Sequence, residues 1–303
     1  MSERALKALL GTLVGFCILW AAVSFFPRGE GGAEGPSGEL STFFEGVTAE
    51  GVTAVRFMGP HEEILELKRV EGSWQVNSFR ADSGTVARFW EAVGEAEVGD
   101  LVAANPANHS RLGVTADSAW TVEVQLPAES RSLLVGKGGS RYGTAFVRFP
   151  GEDAVHLLEG NVRSHVTRSL DDWRNKRVAA VDTAAVWRVE VERDDGGFTL
   201  ERGDSLWVLA GGGETDATTV RGILGEMARL DASGFYGPGD SLPELGGTVR
   251  ALDQGGDTLL FLEVGGGDGD RWIRAEGDSI TYRLSSWRAG RLLPSAEDVV
   301  GEG

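Results

Sequence analysis

One short pattern occurs twice in this sequence, at two places 133 residues apart. Residues 65–76 read LELKRVEGSWQV, and residues 198–209 read FTLERGDSLWVL. The matched pairs are Leu67 and Leu200, Arg69 and Arg202, and Trp74 and Trp207. A repeat of this length predicts the duplication of a whole domain, because solenoid repeats have periods of only about 20–50 residues.

The residues around the repeated pattern predict the same secondary structure in both places. TAVRF at residues 53–57 and AVWRVEV at residues 185–191 alternate apolar and polar residues, as half-buried strands do. A helical pattern follows each set of strands, and it begins at Asp82 in one copy and at Asp216 in the other. We therefore predict an α+β fold with antiparallel sheets, in which each copy has about seven strands and two helices in the order strands, helix, strands, helix.

The matched positions also give the limits of the two copies. Leu112 and Gly113 correspond to Leu245 and Gly246, again 133 residues apart. The first α+β repeat is predicted at residues 47–178 and the second at residues 183–300. We expect Trp74 and Trp207 to lie at equivalent positions in the two cores, because large aromatic residues that recur in both copies are typical of a core.

The N-terminus is predicted to be a membrane segment followed by a spacer. Residues Ala8 to Phe26 carry no charge and are long enough to cross a bilayer, so residues 1–26 are predicted to form one transmembrane signal anchor. Arg4 and Lys7 precede this segment, which favours a cytoplasmic N-terminus and an extracytoplasmic or periplasmic body. Cleavage after Ser24 is the alternative. Residues 27–46 are rich in Gly, Glu, Pro and Ser, which is typical of a flexible linker.

The charge of the chain argues against nucleic acid as a partner. The formal net charge is −17, from 46 acidic and 29 basic residues. Such a charge repels phosphate backbones. The single cysteine, Cys17, lies in the predicted membrane segment, so the rest of the chain can form neither a disulfide nor a cysteine-based zinc site.

We find no motif that predicts a catalytic, cofactor or metal site. The four histidines never have the spacing of a metal-binding pair, and His156 and His165 are expected on the surface. Asp268 and Asp270 have the spacing of two calcium ligands, but the other ligands of a calcium loop are absent from the sequence. Our prediction is therefore that the chain has no catalytic, cofactor-binding or metal-binding residues.

One polar cluster remains as a candidate interaction or junction site: Asp171, Asp172, Trp173 and Arg174. Adjacent carboxylates on a helix point in different directions, whereas a sugar-cleaving pair must face one gap. We expect a helix end at which the aspartates cap the backbone and Trp173 is packed. The second copy has the residues GRLLPS at the matching place, so we expect this junction to occur once. A carboxylate-dependent hydrolase is the alternative interpretation.

The sequence resembles the bacterial family catalogued as domain of unknown function 4340. The resemblance is carried by the first strand-and-tryptophan pattern, by LVAANPANHSRLGV at residues 101–114 and by AVHLLEGNVRSHVTRSLDDWRNKRV at residues 154–178. It implies an N-terminally anchored extracytoplasmic protein, often encoded beside components of an ABC-type export or gliding-type transport system. It implies no catalytic residues.

These observations together favour an extracytoplasmic, non-catalytic accessory or binding protein. The membrane, reached through Ala8 to Phe26, and an ABC-type permease or its auxiliary subunit are the expected partners. A purely structural envelope spacer and the hydrolase are the alternative functions.

Overall fold

The computed structural model describes residues 42–267 and 269–301, and these form two compact units. The first unit contains residues 42–77 and 86–168, and the second contains Ser78–Thr85 with the described residues from Ser169 onward. The predicted membrane segment, most of the predicted linker and Asp268 lie outside the described residues. Within the described residues, no helix is both long and apolar enough to cross a membrane.

The first half of the chain contains nine strands and three α-helices whose bounds both lie within its described residues. The strands are β1 (Ala54–Met58), β2 (Ile64–Val70), β3 (Ser73–Val76), β4 (Phe79–Arg80), β5 (Val98–Ala103), β6 (Trp120–Gln125), β7 (Ser130–Gly138), β8 (Ala145–Arg148) and β9 (Val155–Leu158). The helices are α1 (Ser83–Gly94), α2 (His109–Leu112) and α3 (Val162–Val166), and a 3-10 turn covers Pro106–Asn108.

Eight strands of the first unit form an antiparallel sheet in the order β3-β2-β1-β6-β7-β8-β9-β5. Helix α1 begins after Asp82, whose carboxylate accepts a hydrogen bond of 2.7 Å from the amide of Thr85. This bond satisfies one of the amides that a helix N-terminus leaves without a helical partner. The helix packs on the sheet through Phe89, whose ring centroid lies 5.6 Å from that of Phe57 on β1.

The second half of the chain contains ten strands and four α-helices among its described residues. The strands are β10 (Arg177–Ala179), β11 (Arg188–Arg193), β12 (Phe198–Arg202), β13 (Trp207–Leu209), β14 (Leu230–Asp231), β15 (Gly234–Phe235), β16 (Leu245–Leu252), β17 (Thr258–Gly265), β18 (Arg271–Ala275) and β19 (Tyr282–Leu284). The helices are α4 (Leu170–Trp173), α5 (Ala217–Ala228), α6 (Ser286–Leu292) and α7 (Ala296–Val299).

The second unit has an eight-stranded antiparallel sheet in the order β13-β12-β11-β16-β17-β18-β19-β15. Its core is formed by one face of this sheet and by the buried sides of α5 and α6, and it includes Val189, Ile223 and Leu292. Asp216 caps α5 through a 2.7 Å hydrogen bond from the amide of Thr219. Strand by strand in chain order, this sheet has the same arrangement as the eight strands of the first unit.

The structure confirms the predicted α+β class with large antiparallel sheets, and both aspartates cap their helices as expected. The expected surface position of two histidines is wrong. His156 is 2% exposed on β9, and His165 is 5% exposed on α3. Each lies on the core side of its element, and histidine is intermediate among residue types in how often it is buried.

Candidate functional site

The four residues singled out in the sequence lie in and just after the short helix α4. Ser169 caps this helix, and its hydroxyl accepts a hydrogen bond from the amide of Asp172 and donates one of 2.7 Å to the carboxylate of Asp172. Asp172 also lies 3.7 Å from the ammonium of Lys176. Asp171 lies 3.3 Å from the guanidinium of Arg174. Both carboxylates therefore have structural contacts that fix the helix and the chain after it.

Trp173 and Arg174 are the buried half of this cluster. Trp173 is fully buried. The guanidinium of Arg174 lies between two aromatic rings, 3.9 Å from the ring centroid of Phe79 and 3.4 Å from that of Phe235. Burial lowers the pKa of Arg174, and the neighbouring Asp171 opposes that shift. The guanidinium is held by stacking on the two rings, where cation–π attraction stabilises it.

Backbone bonds join this cluster to the segment that leads into α1. The amide of Asp82 donates to the carbonyl of Trp173 at 2.8 Å, and the amide of Asn175 donates to the carbonyl of Arg80, also at 2.8 Å. Ala81 and Arg174 form an isolated antiparallel bridge between these two bonds. The residue that caps α1 is thus tied directly to the end of α4.

The capping and backbone contacts of this junction recur at α7, where Val299 and Val300 stand in place of Trp173 and Arg174. Ser295 and Asp298 form a capping box, and Val299, like Trp173, is fully buried. The amide of Asp216 donates to the carbonyl of Val299 at 2.8 Å, and the amide of Gly301 donates to that of Glu214 at 3.0 Å. The same backbone bonds hold the start of both long helices. The cluster therefore has a structural role: its backbone holds the start of a long helix, as the backbone of α7 does in the second half of the chain.

The concave surface best suited to binding lies elsewhere in the second unit, between β13 and α5. We call it the second-unit groove, and its volume is about 610 Å³. Leu206, Trp207 and Val208 line one side, and Val220, Leu224 and Ala228 line the other. Leu206 is 71% exposed, which is unusual for a leucine beside other apolar residues. Of the residues that line the groove, Glu214 and Arg221 alone carry charge.

A second concave surface, of about 600 Å³, lies on the solvent side of β11, β12 and β16. Two of its three arginines are paired with carboxylates. Arg188 donates to Glu201 at 2.6 Å, and Arg250 lies 3.5 Å from Glu190. The third, Arg202, donates to the backbone carbonyl of Ala184. Because two of the three positive charges are neutralised, this surface is less suited to capture an anion than an unpaired arginine cluster would be.

The buried histidine of α3 does not belong to a site that could hold a metal. Burial, together with the positive charges of Arg168 and Arg88, lowers the pKa of His165 to about 4. The imidazole is therefore neutral at neutral pH. Over residues 42–267 and 269–301, no three histidine, cysteine or acidic side chains are grouped to hold a metal. Asp268, one of the two aspartates with calcium-like spacing, is outside the described residues.

Sequence comparisons identify a family but no characterised relative. The family model described as Domain of unknown function (DUF4340) matches residues 74–248. No curated protein matches the chain significantly, and neither does any solved structure. The matched region begins at Trp74, includes Trp173 and Trp207, and ends within β16.

Proposed function

The chain belongs to the DUF4340 family, and from this premise we propose that it is a membrane-anchored extracytoplasmic protein that binds a partner and catalyses no reaction. The second-unit groove is the observation that carries this proposal. It is open, mostly apolar and large enough to accept several side chains. Its lining combines an aromatic residue with few charged groups, which is typical of surfaces that bind proteins or ligands.

The two units are, in this proposal, copies of one ancestral domain. Their sheets have the same strand order, and their long helices have equivalent caps. One ion pair supports the duplication further. Arg56 pairs with Glu123 across β1 and β6, whereas Glu190 pairs with Arg250 across the matching strands β11 and β16. The contact is retained although the two charges have changed places.

The sequence supports the membrane anchor and the class of partner in this proposal. The uncharged run from Ala8 to Phe26 would hold the body at one membrane, and the basic residues before it would place that body outside the cytoplasm. An anchored body meets partners in or near that membrane. By analogy with anchored proteins encoded beside transport genes, the partner in this proposal is an ABC-type permease or its auxiliary subunit.

Photo-crosslinking in the native membrane tests this proposal. A photoreactive amino acid at Leu206, on the rim of the groove, should form an adduct with a permease or an auxiliary subunit of an ABC-type transporter. The same group at Tyr142 is the matched control, because Tyr142 is 96% exposed and does not line the groove. We expect the adduct from Leu206 to be identified by mass spectrometry and to be absent from the Tyr142 variant.

Two results would contradict the proposal. One is the absence of any specific adduct at Leu206, which is what a structural spacer predicts. The other is an identical set of adducts from Leu206 and Tyr142, because random collisions in the envelope would produce it.

A further inference from the structure

The two strand tryptophans occupy equivalent positions in their units. In the first unit Trp74 pairs with Arg69 across β2 and β3. In the second unit Trp207 pairs with Arg202 across β12 and β13. Both indoles are partly buried. The strand side of the second-unit groove therefore has a direct counterpart in the first unit.

The helix side also has a counterpart, because the two helices are in register from their caps. Counted from Asp82 and Asp216, the buried Phe89 of α1 corresponds to the buried Ile223 of α5. The next residue is Trp90 in the first unit and Leu224 in the second. The residue after that is Glu91 in the first unit and Gly225 in the second.

The first unit thus shows which side chain fits against the strand tryptophan. The ring centroids of Trp74 and Trp90 lie 5.4 Å apart, a distance typical of packed aromatic pairs. In the second unit the smaller Leu224 takes the place of the indole, and both Leu224 and Trp207 line the open groove. Gly225 has no side chain, whereas the matching residue of the first unit, Glu91, has a charged side chain next to Trp90 in the sequence.

We propose that the second-unit groove binds an aromatic side chain of a partner polypeptide, at the place that Trp90 occupies in the first unit. This inference rests on the proposed binding function and names the chemistry of the partner at that site. The partner ring stacks against Trp207 and contacts Leu224. The groove is apolar on both sides of that position, so the ring leaves water on binding.

The negative charge of this chain indicates that the partner segment carrying the aromatic residue is basic. The chain has a formal net charge of −17, and its field attracts positive partners. Glu214, on the groove lining, is exposed and forms no ion pair within the described residues. Arg221 lies near the carboxylate of Asp216, which partly balances its charge. A basic residue beside the aromatic anchor would therefore find Glu214 available.

Binding of a defined peptide to the full-length chain tests the inference. The probe is a fluorescein-labelled peptide with one tryptophan between two pairs of lysines, and the readout is fluorescence anisotropy. Leu224→Trp should weaken binding by at least roughly tenfold, because it fills the groove with the side chain that the first unit already uses. Leu224→Phe, with a smaller ring, should give an intermediate loss. Tyr142→Leu, at a position that is 96% exposed and does not line the groove, is the control and should leave the affinity unchanged.

Several results would overturn the inference. The first is equal affinity for the same peptide with alanine in place of tryptophan, because the lysines alone would then explain binding. The second is equal affinity of the wild type, Leu224→Phe and Leu224→Trp proteins while all three remain folded by circular dichroism. The third is N-acetyltryptophanamide binding as tightly as the peptide, which would assign the groove to a small aromatic molecule.

The peptide experiment and the photo-crosslinking experiment test different proposals, so a negative result in one does not imply a negative result in the other. A permease adduct at Leu206 without binding of the tryptophan peptide would overturn the aromatic anchor and leave the proposed function standing. Peptide binding without any specific membrane adduct would contradict the proposed function and leave the chemistry of the groove intact.

Discussion

Replacement of Trp173 by alanine is expected to lower the free energy of unfolding by about 3–5 kcal/mol, the usual cost of removing a large aromatic side chain from a core. Trp173 is fully buried. Its backbone carbonyl also receives the amide of Asp82, the cap of α1, so a cavity at this point should loosen the start of that helix. Urea denaturation of the full-length chain, followed by circular dichroism, measures the change.

Asp171→Ala, two residues earlier on the same helix, is the matched control for this prediction. Asp171 is about half exposed and pairs with Arg174 at 3.3 Å, so its loss should cost no more than about 1 kcal/mol. If Asp171→Ala destabilised the protein as much as Trp173→Ala, the structural interpretation of the cluster would be wrong. The carboxylate would then need another role.

Replacement of Glu226 by alanine is expected to cost about 3 kcal/mol. Glu226 is 3% exposed on α5, and its carboxylate accepts a hydrogen bond of 2.8 Å from Nε of Arg288. A second nitrogen of the same guanidinium forms an ion pair with it at 2.7 Å. Arg288 also donates to the backbone carbonyls of Arg229 and Asp231 after the end of α5. Removal of the carboxylate leaves a partly buried guanidinium without its counter-charge. An uncompensated buried charge lowers the stability of the fold more than replacement of both partners would.

Arg291→Ala separates the effect of this pair from general disturbance of α6. Arg291 contacts the same carboxylate at 3.5 Å, but its side chain is 40% exposed. We expect a cost of about 1 kcal/mol or less, because the solvent screens an exposed pair. In thermal unfolding, Glu226→Ala should have a clearly lower melting temperature than Arg291→Ala. Equal melting temperatures would contradict the assignment of Arg288 as the main partner of Glu226.

The elements of this fold could be predicted because they depend on local periodicity. The alternation in β1 and β11, and the aspartates before α1 and α5, are properties of short segments that do not need distant contacts. The fixed spacing of the two tryptophans then related the two halves of the chain.

The second junction, at α7, was missed for a physical reason. Its shared features are backbone hydrogen bonds and a buried residue, while the side chain differs, with valine at position 299 and tryptophan at 173. A signal was present in the sequence. Ser169 and Asp172 have the same spacing as Ser295 and Asp298, and a serine followed three residues later by an acid is a capping pattern.

The groove and the buried ion pair could not be predicted from periodicity. The groove arises because a smaller side chain, Leu224, follows the buried stripe of α5, and that matters only once Trp207 is known to lie opposite. Glu226 interrupts the same buried stripe with a charge, a feature that indicates a buried partner without identifying Arg288. Contacts between residues about 60 positions apart need the tertiary structure.

The most direct test of the account is the side of the membrane on which the body lies. Full-length protein with Cys17→Ser carries a single new cysteine, at Tyr142→Cys or Ser2→Cys, and intact spheroplasts are treated with a membrane-impermeant maleimide. We predict that Tyr142→Cys, at a position 96% exposed, is labelled without lysis, whereas Ser2→Cys is labelled only after lysis. Protection of Tyr142→Cys until lysis would place the body in the cytoplasm and contradict the account.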